Sequence, residues 1–210
     1  VGAHMIQETR ETQILDAAEA LLTRYGLRRV TMDDVAEAVG LSRPAVYQYF
    51  SSKSALITAA LKRFHMRVQE QVETALAYDG PLSEQLKRAI MARDGLYLEQ
   101  RLSSGQIPWY LNTSNADIAK AFEAAQEDYH VLLRRHMFRG GVSAQSAKVA
   151  ARMIISSSAG LMSMVSSKSE FSDDLDEFIA LLLNKVTPRG QSEATGVAGL
   201  GDEAASRIVM

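Results

Sequence analysis

The stretch TMDDVAEAVGLSRPAVYQYFSSKSAL, which starts at Thr31, constrains the fold most because helix-capping residues flank a central glycine. Thr31 is a preferred N-cap, and Asp34 three residues later can complete a capping box. Gly40 ends this first helix, since glycine takes a left-handed C-cap without steric cost. Ser42 caps a second helix that carries Pro44 in its first turn, where a missing N–H is tolerated. The spacing predicts two short helices joined by a tight turn.

Three positions of the same stretch have the side-chain sizes that a helix-turn-helix requires. Ala36 is small enough for the second helix to cross over it, Gly40 turns the chain, and Val46 can wedge between the two helices. A further helix begins behind them at Lys53. Any short helical hairpin could share the caps, but it would not need this alanine, glycine and wedge together. The pattern therefore favours the helix-turn-helix that reads DNA.

Composition sets the broad class of the protein. The chain has 210 residues, 47% of them hydrophobic, which is enough for one large or two small globular domains. It has no cysteine, which excludes disulfides and thiolate metal sites. No apolar run approaches a membrane span and no secretory signal is visible, so we expect a cytoplasmic protein without membrane partners. Residues 1–5 are expected to be a cloning remnant around an initiating Met5.

Helical periodicity continues along the rest of the chain, with no strand pattern, and predicts an all-α fold. A helix over 10–25 completes an N-terminal three-helix head, and a C-terminal helical bundle forms the body. Body helices are predicted at 55–76, 82–102, 114–137, 144–165 and 173–186, with a short helix or irregular corner at 109–112. The predicted domains are a helix-turn-helix head at 6–54, a ligand-binding and dimerisation body at 55–186, and a flexible tail at 187–210, rich in Gly, Ala and Ser.

The order of these elements and the local motif resemble the TetR family of transcriptional repressors. The positions that carry the resemblance are Gly40, Leu41, Ser42, Tyr47, Tyr49, Phe50, Lys53 and Leu56. Its specific part covers 14–64, and beyond it only length and helical character agree. Tyr49 stands where histidine is common, although a phenol can also donate to a phosphate. The resemblance implies a homodimer that binds a double-stranded DNA operator and is released by a small-molecule effector.

The first turn of the second motif helix is expected to enter the major groove. The candidate DNA-binding residues are Thr31, Ser42, Arg43, Pro44, Ala45, Tyr47, Tyr49 and Lys53. Arg43 matches the two acceptors of guanine, although a phosphate contact or a free surface charge remains open. Pro44 and Ala45 can press on thymine methyl groups.

The other candidates are expected to contact phosphates. Tyr47 and Tyr49 offer hydroxyl donors, although Tyr49 could instead pack within the head. Lys53 and Thr31 lie at helix starts, where the positive helix end attracts a phosphate, and Thr31 could equally be a plain cap. The net charge of −2 means that any basic face must be local.

A single head contacts too few base pairs to identify one site in a genome. A two-fold dimer would solve this, and the resemblance to TetR repressors implies such a dimer. Its two heads would lie about 34–36 Å apart on successive major grooves. The last two long helices are the expected interface, packing with their mates as a four-helix bundle. The small residues of 156–160 would let helix backbones approach closely, unless they pack within the chain.

The resembled family implies an effector pocket between the middle helices. The candidate lining residues are Tyr97, Trp109, Phe122, Gln126, Tyr129 and Met153, with Met162 beside them, which suits an apolar or aromatic ligand. Ordinary core packing is an alternative for such a stripe of large side chains. Polar candidates for the same pocket are Arg93, Asp94, Gln126 and His130, which we expect to face solvent.

No cofactor, metal or catalytic residue is predicted. His65, His130 and His136 share no metal-ligand spacing on one helix, and the chain contains no phosphate-cradling loop or HExxH motif. The sequence therefore does not favour an enzyme. The alternatives to a ligand-released repressor are a helical adaptor that binds no ligand and a DNA-binding activator with the same head.

Overall fold

The computed structural model describes residues 2–104 and 114–186, and the side chains of 10–99, 101–103 and 114–186. Every regular element in these ranges is an α-helix, which confirms the all-α class with an N-terminal helix-turn-helix and a helical body. The helices are α1 (Gly2–Tyr25), α2 (Met32–Ala38), α3 (Arg43–Tyr49), α4 (Lys53–Leu76), α5 (Leu82–Ser104), α6 (Ala116–Arg139), α7 (Ala144–Met164) and α8 (Lys168–Val186). Trp109, the corner at 109–112 and the tail at 187–210 lie outside the described residues.

The caps predicted for the two motif helices are present. The Asp34 backbone N–H donates to the Thr31 hydroxyl at 3.2 Å, and the Thr31 backbone N–H donates to the Asp34 carboxylate at 2.7 Å. These two bonds complete the capping box of α2. Ser42 caps α3 by accepting a hydrogen bond from the Ala45 backbone N–H at 3.3 Å.

Gly40 makes the turn between α2 and α3 in a left-handed conformation, with φ at +65°. Its N–H donates to the carbonyl of Glu37, and the next N–H, of Leu41, donates to the carbonyl of Ala36 at 2.9 Å. This pair of bonds is the Schellman ending of a helix, and it fixes the angle at which α3 leaves α2.

Gly40→Ala is therefore expected to lower the free energy of unfolding by about 1 kcal/mol through backbone strain alone. An added Cβ at Gly40 would meet no atom within 4 Å, so no steric clash contributes. Gly95 in α5 is the matched control, because its added Cβ also meets nothing while its backbone is helical. Gly95→Ala should raise the stability by up to about 1 kcal/mol. Urea unfolding curves of both variants would show opposite signs, and equal effects would contradict the strain argument.

The head has its own hydrophobic cluster, and this cluster crosses the boundary expected at residue 54. Val46 of α3 is fully buried in the same cluster as Val35 of α2 and Ile14 of α1, as a wedge residue should be. The cluster also includes Leu56, Ile57, Ala60 and Leu61 of α4 and Ile118 and Ala121 of α6. The first two turns of α4 therefore belong to the core of the head, and the start of α6 packs against it.

The rest of α4 and helices α5 to α8 enclose a second cluster. Its largest fully buried side chains are Leu86, Ile90, Leu98, Leu133, Met137, Ile154 and Phe171. Two helices begin earlier than predicted. α1 starts at Gly2 rather than residue 10, since no proline or glycine interrupts residues 3–9, and α8 starts at Lys168 rather than residue 173. None of the described helices combines the length and apolar character that a membrane crossing requires.

Candidate DNA interface and ligand cleft

The start of α3 faces away from the core of the head. Ser42, Arg43 and Pro44 are exposed, Ala45 is half-buried, and Tyr47 is 38% exposed one turn later. The opposite side of the helix carries the buried Val46. The first turn of α3 is therefore accessible to a partner, as insertion into a major groove requires.

Arg43 is held above the surface by two neighbours. Its guanidinium forms an ion pair with Asp33 of α2 at 3.0 Å and lies 5.6 Å from the centre of the Tyr47 ring. Both side chains of the ion pair are more than half exposed, so solvent screens the pair and it contributes little to stability. Arg43 can exchange such a weak contact for the two acceptors of a guanine at little cost.

Three other candidates already have partners in the head. The Thr31 hydroxyl donates to the Asp34 carboxylate at 2.8 Å, and this bond lowers the pKa of Asp34. Tyr49 is half-buried and packs against the head cluster. The Lys53 ammonium donates to the backbone carbonyl of Leu27 at 2.9 Å, which leaves it two further N–H groups.

Gln48 is an exposed residue of α3 that the sequence analysis did not single out. It lies one turn after Pro44 and next to Tyr47, so it shares the accessible side of the helix. A glutamine amide can bind adenine through a donor and an acceptor together. The signal available in the sequence was its spacing of four residues from Pro44.

A cleft of about 280 Å³ lies between α4, α5 and α6. Three of the six predicted ligand residues, Tyr97, Gln126 and Tyr129, line it. The remaining lining residues are Lys62, His65, Met66, Val68, Gln69, Val72, Arg93, Ala121, Ala124, Ala125 and Asp128. The wall is mainly apolar, with a few convergent polar groups, as is usual for small-molecule sites.

Two other predicted ligand residues, Met153 and Phe122, lie away from the cleft. Met153 is 45% exposed on α7 and does not line the cleft. The physical reason is that its neighbour Ile154 takes the inward position on the helix and is fully buried. Phe122 packs against the head cluster beside the His65 ring, at 5.9 Å between ring centres, rather than lining the cleft. Trp109 lies outside the described residues.

The expectation that Arg93 and Asp94 face solvent is wrong. Only 11% of the Arg93 side chain and 1% of the Asp94 side chain are exposed, and the two form an ion pair at 3.1 Å. Arg93 also donates to the side-chain carbonyl of Gln126 and lies 4.5 Å from the centre of the Tyr129 ring. Burial raises the pKa of Asp94, while Arg93 and the Ser158 hydroxyl oppose this effect.

Two aromatic groups of the cleft are perturbed by burial. Burial, reinforced by the positive charge of Arg93, lowers the pKa of His65 to about 4, so its imidazole is neutral at physiological pH. Burial also raises the pKa of Tyr129. In the described part of the chain, no group of three His, Asp or Glu side chains converges in a way that could hold a metal ion.

Two arginines of α4, Arg63 and Arg67, join this helix to α1 through ion pairs, and we call this group of contacts the clasp. Arg63 pairs with both Asp16 and Glu19 of α1, at 2.8 Å for the latter, and donates to the backbone carbonyl of Thr12. Arg67 pairs with Glu19 as well. The side chains of Arg63 and Glu19 are mostly shielded from solvent, which strengthens the clasp relative to a surface ion pair.

Helices α7 and α8 have exposed faces that carry large apolar side chains. Met164 of α7 is 79% exposed and Leu181 of α8 is 66% exposed. The small residues of 156–160 are divided between two environments. Ser158 is fully buried against the body, whereas Ser156, Ala159 and Gly160 are exposed beside Met153.

The exposed first turn of α3, positioned by α1 and α2, defines a helix-turn-helix DNA-binding protein with an attached helical domain. Comparison with known proteins agrees, since residues 14–60 match the family described as bacterial regulatory proteins, tetR family. Residues 14–60 therefore form a TetR-type helix-turn-helix domain, the part of the chain that the family description covers.

Two relatives match over part of the chain. The HTH-type transcriptional regulator TtgR of Pseudomonas putida is 42% identical over 59 residues, which cover 28% of each chain. The HTH-type transcriptional activator FasR of Mycolicibacterium smegmatis is 32% identical over 91 residues, 43% of this chain and 42% of FasR. The chain thus matches between about a quarter and two-fifths of the length of these relatives.

The fold of most of the chain also has solved counterparts. The structure of FadR from Bacillus subtilis in complex with stearoyl-CoA superposes with a TM-score of 0.63 at 18% sequence identity. The match covers 83% of this chain and 98% of FadR. At this identity the similarity shows the fold alone.

Proposed function

We propose that the protein is a homodimeric transcriptional repressor that loses affinity for its operator when a small molecule binds in the α4–α5–α6 cleft. DNA reading is assigned to the first turn of α3, with Arg43 as base reader and Ser42, Pro44 and Ala45 beside it. Tyr47 and Lys53 contact phosphates, and Gln48 joins the set as a second base reader. Tyr49 and Thr31 serve mainly to hold the head together.

The observation that carries the ligand response is the double role of residues 62–69 in α4. One side of this segment supplies Lys62, His65, Met66 and Gln69 to the cleft. The other side supplies Arg63 and Arg67 to the clasp on α1. A ligand that displaces these two turns therefore moves the head directly. Because ligand binding and DNA binding then share one structural element, each changes the affinity of the other.

Dimerisation is assigned to α7 and α8. Their exposed faces carry Met153, Gly160, Met164 and Leu181, and large apolar side chains grouped on an exposed surface mark protein–protein interaction sites. A second copy of the chain is the proposed occupant, as in the family. Each head then reads one half-site, and two half-sites give the affinity that a single head lacks.

The DNA-binding assignment is tested by Arg43→Ala and Lys53→Ala in fluorescence anisotropy, with DNA upstream of the gene and a scrambled duplex. Arg43→Ala should weaken binding to the upstream DNA about tenfold to a hundredfold and leave the scrambled duplex nearly unaffected. Lys53→Ala should weaken both duplexes about equally and reduce the salt dependence, because it removes a phosphate contact.

Arg135→Ala on α6 is the control for these two variants, since Arg135 is an exposed cation of the body far along the chain from the head. Lys53→Ala also removes the hydrogen bond from Lys53 to the Leu27 carbonyl, worth about 1 kcal/mol of stability. Thermal unfolding of this variant measures that loss separately from the loss of a phosphate contact. An unchanged preference for upstream DNA in Arg43→Ala would contradict the assignment of base reading to this residue.

An activator is the second candidate, because FasR is described as one and matches a longer part of this chain than TtgR does. Activators and repressors share the same head, so the direction of control depends on where the operator lies relative to the promoter. In vitro transcription from the upstream region with purified protein distinguishes the two. A repressor lowers transcript yield at protein concentrations that saturate the DNA, and an activator raises it.

A further inference from the structure

The polar groups of the α4–α5–α6 cleft indicate the charge of its occupant. Arg93 is the deepest cation in the lining, with only 11% of its side chain exposed. It contacts Asp94 with one terminal nitrogen and donates to Gln126 with the other. A guanidinium has five N–H donors, so three of them have no hydrogen bond to another described residue. Since Arg93 lines the cleft, these donors are available to an acceptor on a ligand.

The counter-charge of Arg93 is kept out of the cleft. Asp94 follows it on α5, is 1% exposed, lies near Ser158 of α7 and does not belong to the lining. This carboxylate offsets the cost of burying the guanidinium without facing a ligand. The wall that a ligand meets is therefore cationic, although the buried pair as a whole is neutral.

The other charged side chains of the lining lie at the exposed rim of the cleft. They are Lys62 on α4 and Asp128 on α6, one of each sign. No carboxylate of the described lining lies deeper than Asp128. A ligand cation would therefore meet Arg93 with no carboxylate on the inner wall of the cleft to attract it, and repulsion between like charges in such a site is costly. A ligand anion would meet a planar donor group that matches the two oxygens of a carboxylate.

The volume of the cleft and its remaining surface indicate the size and the apolar character of the rest of the ligand. At about 30 Å³ per non-hydrogen atom, 280 Å³ holds about nine or ten such atoms. Val68, Val72, Ala121 and Ala125 supply apolar surface, and Tyr97 adds an aromatic face. We propose that the cleft binds a small organic monocarboxylate of about ten non-hydrogen atoms, with its carboxylate on Arg93 and its apolar part against Val68, Val72 and Tyr97. This proposal rests on the function proposed above for the cleft.

Benzoate, benzamide and benzamidine provide a matched test, because they share one shape and carry negative, zero and positive charge. Isothermal titration calorimetry on the full chain should give a dissociation constant of about 1 mM or lower for benzoate. Benzoate should bind at least about tenfold more tightly than benzamide, and benzamidine should bind more weakly still. Octanoate, an aliphatic carboxylate of similar size, should also bind.

The double variant Arg93→Gln/Asp94→Asn tests whether Arg93 binds the carboxylate of the ligand. It removes both buried charges together, since Arg93→Gln alone would leave Asp94 buried and unpaired. We expect it to lose at least about tenfold in benzoate affinity and to bind benzoate and benzamide equally. The matched control is Arg88→Gln/Glu84→Gln, which removes an ion pair of 2.8 Å on the same helix outside the cleft. This control should bind benzoate like the unmodified protein, and thermal unfolding verifies that both variants are folded.

Three results would overturn the proposal. They are benzamide or benzamidine binding as tightly as benzoate, undiminished benzoate affinity in the folded Arg93→Gln/Asp94→Asn variant, and no binding of benzoate or octanoate up to about 10 mM. Fluorescence anisotropy with upstream DNA distinguishes this proposal from the earlier proposal that a ligand in the cleft lowers the affinity for DNA. Benzoate binding without a change in DNA affinity supports the carboxylate assignment and contradicts ligand control. DNA release by benzamide alone supports ligand control and contradicts the carboxylate assignment.

Discussion

Leu181→Glu is expected to convert the proposed dimer into monomers and to abolish tight binding to the upstream DNA. Leu181 is 66% exposed on α8 in the single chain and becomes buried when two copies pack through α7 and α8. Two-fold symmetry places two new carboxylates in one interface. A buried charge without a partner costs about 3–5 kcal/mol, so the dissociation constant of the dimer should rise at least about a thousandfold.

Phe138→Glu is the matched control, because Phe138 is a large apolar residue that is 58% exposed at the end of α6, outside the proposed interface. It introduces the same charge and should leave the dimer intact. Sedimentation equilibrium gives the dissociation constants, and circular dichroism shows that the helices persist. Leu181→Glu that sediments as a dimer with unchanged affinity for upstream DNA would contradict the assignment of the interface.

The sequence predicts the head well because its signals are local. The capping box of Thr31 and Asp34, the left-handed Gly40 and the cap at Ser42 each depend on residues within a few positions of one another. A similar signal was missed before α8. Ser167 accepts a hydrogen bond from the Glu170 backbone N–H at 3.1 Å, and the spacing of these two residues is typical of a capping box. Recognising it would have set the start of α8 correctly.

The cleft is harder to predict because it depends on contacts between distant segments. A stripe of large side chains identifies an inward face, but it does not tell which residues meet a cavity and which fill the core. Tyr97, Gln126 and Tyr129 reach the cleft, whereas Met153 is turned away from it. Arg93 and Asp94 were expected at the surface because single charged residues are rarely buried. Their adjacency allows burial as a pair, with Gln126 and Ser158 from other helices around them.

Acidification is expected to destabilise the protein through His65, which packs beside the rings of Phe64 and Phe122. Its pKa is about 4 in the folded protein and 6.5 in the unfolded chain, so between these values the unfolded chain binds more protons. The stabilisation is complete above pH 6.5 and is lost as the pH falls towards 4. Between about pH 7.5 and 5, His65 alone should remove about 2 kcal/mol from the free energy of unfolding.

His65→Gln separates this effect from other titrating groups. Burial also lowers the pKa of His136, which adds to the loss in acid, whereas the raised pKa of Asp94 acts in the opposite direction. Both groups are present in the variant, so the difference between the two proteins isolates His65. Urea unfolding at several pH values should give a shallower pH dependence for His65→Gln, by about 2 kcal/mol over this range. Parallel pH profiles would mean that the imidazole is already solvated in the folded cleft, because burial is the larger cause of its lowered pKa and the charge of Arg93 the smaller.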